Sequence, residues 1–153
     1  MSDFNSFVAS IWKFNKVAGN FDKVDNNKIG QQISLIKEEL DETLDAYINE
    51  DNKEVLDGCL DILVTAIGLY QMLNVRGMAV GVAFDKVCRN NDSKLIPAKD
   101  FHLVQETRNM YAEQGIETVS DYDSAFNYFV VKNMSGKVLK PKGFVPVDLS
   151  DCV

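Results

Sequence analysis

Residues 54–73 form a pattern that is apolar on nearly every side of a helix. The acidic residues Glu54, Asp57 and Asp61 share the one remaining face, at spacings of i, i+3 and i+7. A helix of this composition has to be buried over most of its surface. We therefore expect a bundle of helices around it. The wide apolar arc consists of Leu56, Cys59, Leu60, Leu63, Ala66, Ile67 and Tyr70.

The same periodicity predicts the remaining elements of the fold. The predicted fold is all-α, a helical bundle with a four-helix core, followed by a small C-terminal β-hairpin or three-stranded sheet. Residues 1–97 are the helical core that carries the candidate site, and 98–153 add a C-terminal helix, the hairpin and a tail to the same single domain. The other predicted helices are 4–17, 31–49, 78–90 and 100–114. The predicted strands are 116–120 and 126–132, with a turn at 121–123; in the three-stranded alternative, residues 137–139 form the third strand.

Net charge excludes several classes of function. The chain has 16 basic and 23 acidic residues, a net charge of −7, and residues 38–61 alone hold ten acids and one base, Lys53. An acidic chain is not expected to bind nucleic acid through a broad basic surface. We see no apolar run near the ~18 residues of a membrane span and no signal peptide. Three cysteines without a CxxC pair agree with a reducing compartment, so we predict a cytoplasmic protein.

The acids of residues 38–61 fall on two neighbouring helices. Glu39 and Glu42 lie one turn apart on the first, and a four-residue polar link makes the next helix its antiparallel neighbour, so the two acidic faces meet. A solvated acidic face is the simpler alternative. Against it, like charges at i+3 and i+4 destabilise a helix, and only Lys53 is nearby to offset them. Carboxylates that converge in a cleft require a cation, and Mg²⁺ or Mn²⁺ suits oxygen ligands.

A magnesium site with open positions is typical of phosphate chemistry. The single histidine, His102, removes most histidine-based zinc sites and Ser-His-Asp triads, and the sequence has no P-loop. Polar side chains near the end of the fourth helix are candidate phosphate contacts, although an ordinary polar helix end has the same composition. These residues are Lys86, Arg89, Asn91 and Lys94.

The acidic motif resembles a known signature. Glu38-Glu39-x-x-Glu42, eleven residues, then Glu54-x-x-Asp57 is similar to the EExxE…ExxD motif of the all-α nucleoside triphosphate pyrophosphohydrolases, which include MazG, dimeric dUTPases and phosphoribosyl-ATP pyrophosphohydrolase. Further segments resemble the phage MazG-like branch. They are Asp57 to Gly68, Asn91 to Lys94, Gly136 to Pro141, Pro146 to Leu149, and Phe14 to Gly19, in which Asn15 stands where that branch often has histidine.

The resemblance implies a MazG-like fold and magnesium-dependent hydrolysis between the α and β phosphates of a nucleoside triphosphate. It implies that Glu39, Glu42, Glu54 and Asp57 bind the metal. Asp61 is an alternative to Glu54 in that set. Glu38 is implied as a supporting carboxylate or water activator, so Glu38 and Glu39 are the catalytic candidates. Lys86, Asn91 and Lys94 would contact phosphates, with Arg89 beside them, and Trp12 and Asn15 are candidate base contacts, although Trp12 also suits a core position.

The resemblance also implies a second subunit that completes the four-helix core, in a homodimer or homotetramer. For a phage enzyme the compartment would be the host cytoplasm. Two other functions stay open at this point: a catalytically idle helical module that binds nucleotide or protein, and a phosphoribosyl-ATP pyrophosphohydrolase. The sequence does not indicate which base or sugar is preferred.

Overall fold

Aspartate caps set where the first three helices begin. The structure is a computed structural model that describes residues 3–153. Asp3, Asp25 and Asp51 each accept a hydrogen bond from a backbone N–H of the first turn, at 2.7 to 3.2 Å, which satisfies donors that have no partner within the helix. The capped helices are α1 (Phe4–Val17), α2 (Asn26–Ile48) and α3 (Asn52–Val75).

The second helix is longer than its predicted range of 31–49. Residues 26–30 are polar and give no apolar stripe, but the Asp25 cap starts the helix there. At the other end Glu50 adopts a positive φ of 58°, and three residues lead into α3. Gln32 Nε2 donates to the backbone oxygen of Thr65 at 2.9 Å, and Thr43 lies against Gly58. These pairings show that α2 and α3 run antiparallel, as the sequence predicted.

The first three helices belong to a compact unit that ends at Val80. Its buried hydrophobic residues among those described are Ile11, Phe21 and Met72. Polar side chains share this interior, since Asn15, Gln32 and Gln71 are also buried. Gln71 Nε2 donates to the Val8 backbone oxygen at 3.2 Å, which joins α3 to α1.

The expectation that α3 is buried over most of its surface is wrong for the single chain. Leu56 is 63% exposed, Leu60 45% and Leu63 40%, and Cys59 is exposed as well. From the sequence we predict no apolar run of membrane-spanning length. By length and composition alone, however, α3 is long and apolar enough to cross a membrane. A core helix of a soluble protein meets the same criterion.

A second compact unit, Gly81–Cys152, is built around a small antiparallel sheet. Its core consists of Ile96, Val104 and Val131. The elements are α4 (Val80–Asp92), which starts one residue before the unit, β1 (Ile96–Pro97), α5 (His102–Ala112), β2 (Thr118–Asp123) and β3 (Tyr128–Asn133), with 3₁₀ turns at Ala98–Asp100 and Ser150–Cys152. The sheet order is β1-β3-β2, which confirms the predicted fold class of a mostly helical chain with a small C-terminal sheet.

Two details of the predicted sheet are wrong. Residues 121–123 belong to β2, and the turn follows them, where the Asp123 carboxylate accepts from the N–H groups of Ala125 and Phe126 at 2.9 and 3.0 Å. The third strand is β1, whereas the 137–139 segment contributes a single bridge from Val138 to Lys132. Residue 97, where we divided the chain, is the second residue of β1.

Candidate active site

Gly58 brings α2 and α3 into close contact beside the acidic residues. A Cβ atom added at Gly58 would lie 2.2 Å from Thr43 Oγ1, so only glycine fits this crossing. The Thr43 hydroxyl is itself fixed, because it donates to the backbone oxygen of Glu39 at 2.6 Å. Asp57 and Asp61 lie on either side of Gly58 on α3, and Glu39 and Glu42 precede Thr43 on α2, by four residues and by one. The close approach therefore places carboxylates of both helices around one point of contact.

Glu39 is the half-buried member of this group. Burial raises the pKa of its carboxyl group, and the charges of Asp61, Glu42, Glu38 and Asp57 raise that pKa further, in decreasing order. Both effects disfavour an ionised carboxylate. We call these five residues, Glu38, Glu39, Glu42, Asp57 and Asp61, the acidic cluster.

No basic side chain among residues 3–153 forms an ion pair with the acidic cluster. The two lysines nearest in sequence are engaged elsewhere. Lys37 Nζ lies 3.1 Å from Asp41, and Lys53 Nζ lies 2.9 Å from Glu54. The cluster is thus an uncompensated concentration of negative charge within the first unit.

Glu54 is paired with a lysine, unlike the residues of the acidic cluster. Its carboxylate accepts from Lys53, is half exposed, and is not among the groups that raise the pKa of Glu39. Asp61, by contrast, is the charged group with the largest effect on that pKa. Of the two alternatives left open by the sequence, this arrangement favours Asp61 over Glu54 as a partner of Glu39.

The acidic cluster suits a divalent cation in its chemistry. Its donors are carboxylate oxygens, which Mg²⁺ and Mn²⁺ prefer, and a cation would offset the repulsion that raises the pKa of Glu39. The side chains do not converge fully, since within residues 3–153 no three His, Cys, Asp or Glu side chains are arranged to hold a metal ion. The acidic cluster therefore fits a divalent cation in its donor atoms, in its negative charge, and in having carboxylates on two helices that face each other.

The predicted phosphate contacts all lie in the second unit, where two are engaged with each other. Lys94 Nζ donates to Asn91 Oδ1 at 2.8 Å. Lys86 Nζ forms an ion pair with Asp151 at 2.5 Å and also donates to the Asp148 backbone oxygen at 3.3 Å. The Arg89 guanidinium has no hydrogen bond or ion pair within the described part of the chain. Lys86 and Arg89 line one cavity of that unit.

The two candidate base contacts lie on α1 in different environments. Trp12 is 40% exposed and its ring packs against Phe21, with ring centroids 4.6 Å apart. Asn15 is only 6% exposed, and its Oδ1 accepts from Asn20 Nδ2 at 2.8 Å. Asn15 therefore belongs to the polar interior of the first unit, while part of the Trp12 ring is accessible.

Sequence reasoning missed the pair formed by Gly58 and Thr43. We noted Gly58 only as one residue of a motif and did not consider Thr43. The signal was present, because an isolated glycine inside an otherwise apolar helix indicates close approach of a neighbour. Its partner on α2 could be identified only from the register of the two helices.

The helical hairpin with its acidic cluster lies within a segment that is similar to a family of pyrophosphohydrolases. Residues 20–94, just under half of the chain, match the model of the phosphoribosyl-ATP pyrophosphohydrolase family, which is part of the MazG-like all-α superfamily. The matched segment includes α2, α3 and the whole acidic cluster. This match confirms the prediction of an enzyme that acts on a phosphoanhydride bond. Searches of curated proteins and of solved structures gave no match.

Proposed function

We propose that this chain is a magnesium-dependent nucleotide pyrophosphohydrolase that cleaves the bond between the α and β phosphates. The observation that carries the proposal is the acidic cluster of α2 and α3, which lies within the segment matched to a pyrophosphohydrolase family. Water would add to the α phosphorus, and the bond from that phosphorus to the oxygen shared with the β phosphate would break. Pyrophosphate would leave, and the other product would be a nucleoside monophosphate. The phage branch and the host cytoplasm stay predictions from the resemblance.

The acidic residues divide the work of this reaction. Mg²⁺, when bound, offsets charge on the phosphate oxygens and activates water. Glu39, Glu42 and Asp57 are the proposed ligands, with Asp61 favoured over Glu54 as the fourth by its effect on Glu39. Glu38 lies on the exposed side of α2, where its carboxylate can orient the attacking water or accept its proton. Glu39 is the second candidate for this role, in addition to its place among the proposed metal ligands.

Two substrate classes are compatible with the site. The resemblance to the phage branch favours a common or modified (d)NTP. The family match favours phosphoribosyl-ATP, whose cleavage breaks the same kind of bond. Both reactions release pyrophosphate, so the acidic cluster has the same task in each.

A substrate panel with product identification tests the proposal. The purified full chain is incubated with Mg²⁺ and each of the ribo- and deoxyribonucleoside triphosphates, a set of modified forms, and phosphoribosyl-ATP. We expect one class to yield the monophosphate and pyrophosphate, with no product when EDTA replaces Mg²⁺. Release of inorganic phosphate in place of pyrophosphate, or no release from any substrate, would overturn the proposed reaction.

We further propose that a second copy of the chain covers the exposed apolar faces of α2 and α3. Leu40, Leu44 and Tyr47 form one stripe on α2, and they are 56%, 54% and 70% exposed. Three buried hydrophobic residues among those described in the first unit are a small core for its length. Contiguous exposed apolar surface marks an interaction site. A second α2–α3 hairpin supplies a complementary apolar face and completes a four-helix core.

Leu44→Lys is expected to weaken this assembly. In a two-fold interface the substitution acts twice, and one buried charge per copy should raise the dissociation constant by at least about tenfold, or 1.4 kcal/mol. Sedimentation velocity over a concentration series measures the shift. Phe126→Lys is the control, since Phe126 is 77% exposed in the second unit and its replacement should leave the assembly unchanged. A wild-type chain that stays monomeric at all concentrations would contradict the proposal.

A further inference from the structure

The second unit contains a cavity of about 620 Å³ between α4 and the C-terminal segment, residues 141–148. Its volume falls within the range of about 300–1,000 Å³ that is usual for small-molecule sites. Neither the acidic cluster nor the proposed hydrolysis uses the C-terminal wall of this cavity. The wall is therefore a feature without an assigned role.

Specific hydrogen bonds hold the C-terminal wall in place. Asn90 Nδ2, on α4, donates to the backbone oxygen of Val145 at 2.8 Å. On the α5 side, the backbone N–H of Lys142 donates to Oγ1 of the fully buried Thr107 at 3.0 Å. The segment thus joins α4 to α5 through defined contacts, and the cavity is a built feature of this unit.

Three basic side chains line the cavity, and they differ in their ion-pair partners. Lys142 is paired with Glu106 at 3.0 Å. Lys86 is paired with Asp151, a carboxylate of the same C-terminal region. Arg89 has no partner within residues 3–153. The cavity therefore offers one free guanidinium, and a second cation whose present partner is an internal carboxylate.

The rest of the lining is part polar and part apolar. Its polar side chains are Asn90, Ser93 and Asp148. Among the apolar ones, Phe144 is half-buried in the C-terminal wall, and Pro97 and Leu103 lie on other sides of the cavity. Aromatic and apolar surface in the same cavity as a guanidinium suits a ligand with a planar ring and an anionic group. Arginine favours phosphate, because its planar fork can donate two parallel hydrogen bonds.

We infer that this cavity binds a nucleoside monophosphate, with the phosphate on Arg89, the base against Phe144, and the Asp151 carboxylate competing for Lys86. The choice of a nucleotide as the phosphate compound rests on the proposed function. The cavity and the charges of its lining are independent of that proposal. Release of Lys86 from Asp151 gives the phosphate a second cation. Asp151 thereby sets the affinity of the site from within the chain.

Equilibrium dialysis of the full chain in EDTA tests this inference. The probes are the four common ribonucleoside monophosphates and inorganic phosphate, so neither metal nor turnover enters the measurement. We expect saturable binding of at least one monophosphate and weaker binding of inorganic phosphate. Arg89→Ala should weaken binding by about tenfold or more. Asp151→Asn should tighten it by about two- to fivefold, as expected for an exposed ion pair.

A matched control separates the competing carboxylate from net charge. Asp121→Asn removes the same charge from another ion pair of this unit, with Lys132 at 2.7 Å, and should leave binding unchanged. An equal effect of Asp121→Asn and Asp151→Asn would overturn the role of Asp151. Absence of saturable binding in wild type and Asp151→Asn, or equal affinity for inorganic phosphate, would overturn the site. Glu39→Gln should bind as wild type does, so failure of this inference is distinguishable from failure of the proposed hydrolysis.

Discussion

Glu39→Gln is expected to lower turnover by about 10²- to 10⁴-fold, the usual range for loss of a group that transfers a proton or positions the reacting groups. Burial raises the pKa of Glu39, and the other four carboxylates of the acidic cluster raise it further. Glutamine keeps the shape of the side chain and removes its charge. The measurement is the rate of pyrophosphate release with saturating Mg²⁺, on the substrate that the panel identifies.

Thermal unfolding with and without Mg²⁺ shows whether this loss has the proposed cause. Wild type should unfold at a higher temperature with Mg²⁺, because a ligand that binds only the folded state stabilises it. Glu39→Gln should lose most of that increase and, without metal, be at least as stable as wild type, since it relieves repulsion among like charges. Asp45→Asn, a neutralised carboxylate of α2 outside the acidic cluster, is the control. Full activity of Glu39→Gln would contradict the assignment.

A paired comparison resolves the fourth ligand. Asp61→Asn should cost more activity and more Mg²⁺ stabilisation than Glu54→Gln, because Asp61 has the largest charge effect on Glu39 whereas Glu54 is paired with Lys53. We expect a difference of at least about tenfold in turnover, comparable to that of groups that support a metal ligand. The reverse order would assign Glu54 to the metal and leave Asp61 as a supporting residue.

The helices could be predicted because their apolar residues recur with the helical period. The start of α2 could not, since Asn26, Asn27 and Lys28 carry no apolar stripe and the helix begins there through the Asp25 cap. The third strand was also inaccessible. Ile96 pairs with Phe129 across more than thirty residues, and nothing in a two-residue strand indicates its partner.

The sequence predicted which acidic residues share a face of α2 or of α3. It did not predict the distances between the carboxylates of the two helices. Spacing alone placed Glu39 with Glu42, and Asp57 with Asp61, on facing helices. It could not decide between Glu54 and Asp61, because that depends on the register of α2 against α3. The register follows from contacts such as Gly58 with Thr43. The burial expected for α3 from its composition is wrong for the single chain, and the proposed second copy of the chain would supply it.

Gly58→Ala is expected to reduce both stability and activity, because it forces the two helices apart next to the acidic cluster. The new Cβ would lie 2.2 Å from Thr43 Oγ1 and 3.1 Å from Thr43 Cβ. Overpacking of this kind costs about 1–3 kcal/mol, against a gain of about 1 kcal/mol from alanine in a helix. The activity loss should exceed what the change in stability explains, since displaced carboxylates bind Mg²⁺ more weakly. Thermal unfolding and an Mg²⁺ titration of turnover measure the two effects.

Two further variants isolate the steric cause. Gly30→Ala makes the same substitution within α2 where nothing lies within 4 Å of the new Cβ, so it should be neutral or stabilising and leave the Mg²⁺ dependence unchanged. Thr43→Gly combined with Gly58→Ala moves the glycine to the other side of the crossing and should recover Mg²⁺ affinity relative to Gly58→Ala alone. If the double variant loses as much as the sum of the two single variants, steric crowding is not the cause. The close approach of α2 and α3 would then not be what positions the carboxylates.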